Sequence, residues 1–185
     1  MNSAGSVPVD EWMRLFCALL LPDEVVDTLV EWQGRHLAGG RIVPPEHLHV
    51  TLAFLGSTPA GRLPDIADAL RAAAVQAKPI EFLLPKRRLR ETRSVAMLVL
   101  EDLHGTATAL AKDLFRRLEA LGVYERERRK WLPHVTVLRF RERPRLDPPL
   151  PELGTFSPSG AAVYHSVLRS AGAQYQVLES VALGG

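Results

Sequence analysis

The chain has 185 residues, 46% of them hydrophobic and 24% charged, with a formal net charge of +2 and a pI of about 8.9. This is ordinary globular composition, long enough for a real core in one domain, and mildly suggestive of an anionic ligand. The single Cys17 excludes an intramolecular disulfide framework and a multi-cysteine metal site. Lying in an apolar run, it reads as a buried, inert thiol.

Met1 to Asp10 are polar and contain Gly, Ser and Pro. Residues 1–12 are therefore expected to form a flexible extension and residues 13–185 a single two-lobed domain, with Met13 a candidate start. Leu15 to Leu21 is too short to span a membrane, follows acidic Asp10 and Glu11, and leads into Pro22-Asp23-Glu24 without a small-residue cleavage site. It reads as a buried first strand rather than a signal peptide. With no other targeting signal, a cytoplasmic protein without membrane association is expected.

Pro22 with two acids behind it starts a helix. Val25, Val26, Leu29, Val30 and Leu37 form its apolar stripe, and Gly39-Gly40 ends it. Pro44-Pro45 leads into a strand from His47 to Leu55, closed by Gly56. A second helix is expected from Leu63 to Ala77, strands over Ile80 to Leu84 and Val95 to Leu100, and a third helix from Gly105 to Leu121. Leu132 to Arg139 reads as a strand and Arg141 to Pro151 as a long proline-rich loop. Two tail strands follow, Ala162 to Leu168 and Tyr175 to Leu183, with a turn at Gly172. Helices and strands mix without strict alternation, which predicts an α+β fold with antiparallel pairing.

Two of these strands carry the same pattern, His49-Val50-Thr51-Leu52 and His134-Val135-Thr136-Val137. Strand side chains alternate between faces, so Val50, Leu52, Val135 and Val137 point into a core. Each strand then presents one imidazole and one hydroxyl on its other face. If the two faces meet across a groove, two proton carriers and two hydrogen-bond donors converge there. Opening a strained phosphodiester such as a ribose 2′,3′-cyclic phosphate needs a base for water, an acid for the leaving oxygen, and donors for the phosphate oxygens.

Arg139 could add a cation with a fork that matches phosphate. Its parity in an ideal strand puts it on the opposite face from His134, so it needs a bulge, twist or strand end to reach the groove. His47 and His49 share one strand face, a spacing that zinc sites also use, and His134 could be a third ligand. No carboxylate or thiol completes that set and the threonines have no role in it, so no metal is expected. His36, late in the first helix, and His104, just before the third, read as surface residues, while His165 on a tail strand could face either core or groove. Basic runs at Lys86-Arg87-Arg88 and Arg90, at Arg126 to Lys130 and at Arg139 to Arg145 fit either a phosphate backbone or a solvated, salt-bridged surface. No phosphate-binding P-loop pattern is present.

These residues resemble the 2H phosphoesterase superfamily, in particular bacterial RNA 2′,3′-cyclic phosphodiesterases, historically called 2′-5′ RNA ligases. Arg14 to Pro22, Val43 to Gly56, Pro133 to Thr136 with Arg139, and the segment from Ser166 to Leu178 carry the likeness. His47 departs from it, standing where asparagine is common, as does Ile42, standing where an aromatic is common. The resemblance implies a bilobal fold with both motifs facing a central cleft. It implies metal-independent hydrolysis of a 2′,3′-cyclic phosphate RNA end to a 2′-phosphate, with 2′-5′ ligation as the reverse reaction and no cofactor. By the same likeness His49 protonates the leaving 3′ oxygen, His134 activates water, and Thr51, Thr136 and Arg139 hold the phosphate. A monomer acting on RNA ends, tRNA halves among them, is the corresponding expectation. The alternatives are a noncatalytic RNA-end binding module, a metal-dependent phosphohydrolase, and a phosphodiesterase for 2′-5′-linked oligonucleotides.

Overall fold

The computed structural model describes residues 11–86, 89–170 and 172–184. Its elements, in chain order, are β1 (Trp12–Leu20), α1 (Asp23–His36), β2 (Arg41–Ile42), β3 (His49–Pro59), α2 (Leu63–Val75), β4 (Phe82–Leu83), β5 (Leu89–Glu91), β6 (Val95–Val99), β7 (Glu101–Asp102), α3 (Thr106–Ala120), β8 (His134–Arg139), β9 (Thr155–Phe156), β10 (Gly160–Arg169) and β11 (Gly172–Val181). Among the described residues every strand pair is antiparallel. The architecture is the expected α+β.

The main sheet runs β11-β10-β1-β3-β8-β6-β5, with β2 beside β8. It consists of two four-stranded halves, one from β11 to β3 and one made by β8, β6, β5 and β2. The halves join where β3 and β8 pair through one residue pair, Val50 with Val135. Each motif strand is therefore the inner edge of its own half, which is the physical form of the two lobes. A separate small sheet of β7, β4 and β9 flanks them.

One core fills one side of the main sheet. Cys17, Leu19, Val50, Leu52, Val135 and Val137 meet Leu29 of α1, Ile66 and Leu70 of α2, and Leu110, Leu114 and Leu118 of α3 there. The three helices thus cover the side away from the motif histidines. Burial pushes the thiol of fully buried Cys17 up to about 12, which keeps it protonated and inert. On the opposite side of β1 and β10, Phe16, Ala18, Ala162 and Tyr164 form a smaller apolar cluster.

Several boundaries differ from the sequence reading. The extension expected over residues 1–12 lies, for residues 1–10, outside the described residues. Glu11 and Trp12 belong to the fold: Trp12 opens β1 and the Glu11 carbonyl accepts a hydrogen bond from Ala60 N at 2.7 Å. Met13 is thus inside the first strand and buried. His47 does not lie on a strand. Pro44-Pro45 sets a 3-10 turn at Pro45–His47, with His47 N donating to Pro44 O, so the strand begins at His49. Gly56 does not close that strand either. It takes φ +66°, a conformation glycine adopts without a Cβ penalty, and β3 runs on to Pro59. The short strands β2, β5, β7 and β9 were not anticipated, because two or three residues carry no periodic signal and are ordered by their partners. The loop expected from Arg141 to Pro151 has no regular structure and is tied to α1 by Trp32 Nε1 donating to Pro149 O at 2.6 Å.

Candidate active site

A small groove with a cavity volume of about 50 Å³ lies over the junction of the two halves. All five residues singled out from the sequence, His49, Thr51, His134, Thr136 and Arg139, line it. Strand alternation accounts for the first four. Val50, Leu52, Val135 and Val137 are buried at 0–3% exposure, while the histidines and threonines between them are half-buried.

Arg139 is brought there by a bulge. Opposite β6, Met97 pairs with Thr136 and Ala96 with Leu138, which leaves Val137 without a partner. The extra residue reverses the alternation. Val137 and Leu138 are both buried and Arg139 emerges on the side of His134 and Thr136. The first motif has the same device. Opposite β1, Ala18 pairs with Thr51 and Cys17 with Ala53, leaving Leu52 over. Leu52 and Ala53 are both buried, and Phe54 emerges on the groove side, 62% exposed. Phe54 and Arg139 thus hold equivalent places, each the fifth residue after its motif histidine.

The two imidazoles are held differently. His134 Nδ1 is 2.8 Å from the carbonyl oxygen of Leu132. A carbonyl can only accept, so Nδ1 carries the proton in the neutral ring and Nε2 is left as the basic nitrogen. His49 packs against Phe16 (centroids 5.0 Å apart), Tyr164 and Tyr175 (5.7 Å each). Burial lowers its pKa to about 4, helped by the positive charges of His47, His134 and Arg139, while the His47 backbone acts in the opposite direction. Its Nε2 is 3.1 Å from Thr51 Oγ1. Its buried Nδ1 makes no hydrogen bond of good geometry.

His47, Tyr175 and Arg139 form a second wall. The His47 ring lies 4.2 Å from that of Tyr175, and His47 Nε2 accepts a hydrogen bond from Tyr175 N at 3.3 Å. Arg139 Nη2 donates to the Tyr175 hydroxyl at 3.4 Å. Burial lowers the His47 pKa, with Arg139 and Arg41 adding to the effect against Glu46. Among the described residues no three His, Cys, Asp or Glu side chains form a grouping that could hold a metal ion.

Phe54 and Tyr175 were not identified as site residues from the sequence, although the shared five-residue offset of Phe54 and Arg139 is a readable signal. The remaining histidines do not line the groove. His36 is exposed at the end of α1, His104 pairs with Glu81 at 2.7 Å, and His165 is half-buried on β10. Of the basic runs, Arg126 pairs with Glu119 and Arg143 with Glu91, whereas Arg128, Arg129 and Lys130 are exposed. Arg87 and Arg88 lie outside the described residues. A larger depression beside the proline-rich loop, lined by Glu91 and Arg143 among others, holds none of the candidate catalytic groups.

A curated RNA 2′,3′-cyclic phosphodiesterase from Thermus thermophilus is 34% identical over 94% of this chain and 91% of its own length. The chain belongs to the LigT-like 2H phosphoesterases. Residues 19–92 match the family described as LigT like Phosphoesterase. Two crystal structures superpose on this LigT-like chain over nearly its full length. Escherichia coli LigT, in complex with 3′-AMP, does so with a TM-score of 0.77 at 25% identity, covering 95% of this chain and all of the other. A protein of Thermus thermophilus does so with a TM-score of 0.75 at 30% identity, covering 94% and 99%. With that much of the chain covered, the likeness extends well beyond the region of the family match.

Proposed function

We propose that this LigT-like phosphoesterase hydrolyses RNA 2′,3′-cyclic phosphate ends to 2′-phosphates by two-histidine acid–base catalysis without a metal. The observation that carries the reading is the convergence of both H-x-T pairs and Arg139 on one groove. The named activity of its relatives supports the substrate class.

His134 Nε2 takes a proton from water as the water oxygen bonds to phosphorus. The bond from phosphorus to the 3′ oxygen breaks, and His49 Nε2 delivers a proton to that oxygen. The ribose retains the phosphate on its 2′ oxygen. Thr51, Thr136 and Arg139 donate hydrogen bonds to the non-bridging oxygens, whose charge grows in the transition state. His49 is neutral in the free protein near neutral pH. The bound phosphate anion favours its charged form and lets it act as the acid. The monomeric, cytoplasmic protein and the tRNA halves expected from the sequence belong to this reading; size-exclusion chromatography and cell fractionation test the first two.

The test is His49→Ala and His134→Ala on an oligonucleotide ending in a 2′,3′-cyclic phosphate. Each substitution lowers kcat by about 10²–10⁴-fold, the usual worth of one positioned proton transfer. The product of the unaltered protein is a 2′-phosphate, and EDTA leaves its rate unchanged. Full activity in either variant, or loss on chelation with rescue by zinc, overturns the reading. Binding of a 2′-phosphate end without turnover would mark a noncatalytic module.

A further inference from the structure

Helix α1 carries a polar residue in the middle of its apolar stripe. Gln33 lies one turn from Leu29 and one turn from Leu37, both buried, and is itself 1% exposed. An amide at that depth is costly unless its hydrogen-bonding groups are used. Gln33 Nε2 donates to two backbone carbonyls from separate segments, Val43 O at 3.1 Å and Val137 O at 2.8 Å. Val43 N also donates to Val137 O, at 3.1 Å.

Both carbonyls bear on the groove. Val137 is the extra residue of the β8 bulge, which turns Arg139 toward His134 and Thr136. The ladder with β6 is interrupted there, so the bulge has to be held from its other side. That side is β2, where Arg41 pairs with Arg139 and Ile42 with Leu138. The backbone of Gly40 approaches so closely that a Cβ on it would lie 2.5 Å from the Arg139 carbonyl oxygen. Gln33 joins the two edges, bonding the end of the β2 segment and the bulge at once. Beyond Val43 the same segment continues through Pro44 and Pro45 to His47.

We propose that Gln33 is a positioning residue for the phosphate site: its amide holds the Val137 bulge in place and so keeps the Arg139 guanidinium on the catalytic face. The proposal rests on the reading of Arg139 as a group that holds the phosphate. It assigns a role in substrate handling to a buried helix residue that does not touch the groove.

Gln33→Met keeps the length of the side chain and removes the donor. Q33M, Arg139→Ala and the double variant form a cycle, read as kcat and KM on a 2′,3′-cyclic-ended oligonucleotide with the Tm of each protein measured alongside. Q33M lowers kcat/KM about tenfold in the wild-type background and by less than about twofold in the R139A background. An equal loss in both backgrounds overturns the proposal, because Gln33 then serves only the core. So does an unchanged kcat/KM in Q33M. If R139A alone leaves kcat/KM unchanged, the reading of Arg139 falls and the positioning role falls with it. A large R139A loss with an additive Gln33 effect removes the positioning role alone. If Q33M does not fold, Gln33→Ala, which leaves room for water at the Val43 carbonyl, replaces it in the same cycle.

Discussion

Packed among Phe16, Tyr164 and Tyr175, His49 loses much of its hydration, and its pKa falls to about 4. The consequence for stability has a definite sign. The folded ring stays neutral down to about pH 4, whereas the unfolded chain binds the proton below about 6.5. Stability is therefore full above about pH 6.5 and falls as the pH drops toward 4, where both states become protonated. Thermal unfolding between pH 7 and 4 will show this as a falling Tm, and His49→Asn will flatten it; equal slopes in both proteins would contradict the assignment. Activity carries the same signature. On the proposed mechanism a bound phosphate favours the charged form of His49, so the pH profile of kcat, with its limbs, lies at higher pH than that of kcat/KM. Coincident limbs would mean that His49 is not recharged by substrate.

At the scale of elements, the two motif strands share a construction that simple alternation does not describe. Each H-x-T is followed by two buried apolar residues, Leu52-Ala53 in one and Val137-Leu138 in the other. The doubled apolar position is visible in the sequence and marks where the alternation slips. Which residue goes unpaired is set by the neighbours, β1 for Leu52 and β6 for Val137. A second irregularity in β3 sits near Gly56, whose φ of +66° a side chain tolerates poorly. A Cβ there meets nothing within 4 Å. Gly56→Ala therefore carries backbone strain alone, about 1–2 kcal/mol, and lowers Tm by roughly 2–8 °C for a chain of this size. An unchanged Tm in calorimetry would show that β3 relaxes at no cost.

For the whole molecule, the decisive arrangement is a sheet in two halves with all three helices on one side and the groove on the other. Among the described residues one strand pair joins the halves, and Trp131 Nε1 donating to Thr51 O at 3.0 Å adds a tie between the two motif regions. Just before Trp131 stand the exposed Arg128, Arg129 and Lys130. If this run receives the RNA backbone, replacing all three with alanine raises KM for an oligonucleotide substrate and reduces its dependence on salt. KM for a cyclic mononucleotide, which has no further phosphates, stays as it was. Equal changes for both substrates would place the run outside the RNA path.

The sequence by itself determined the candidate site residues and the class of fold. Two H-x-T strands fix which side chains share a face, because alternation is a local property of extended backbone. The same locality explains the three helices, legible from their apolar spacing, and the missed strands of two or three residues, which have no pattern of their own. Tertiary structure decided what depends on neighbours. It sank His49 among aromatic rings and gave His134 a carbonyl for its Nδ1, so two nearly identical motifs became chemically unequal. It also reversed the alternation at Val137 and brought Arg139, placed by ideal parity on the wrong face, into the groove. Desolvation and strand register are set by whatever packs alongside, and no stretch of sequence contains its own neighbours.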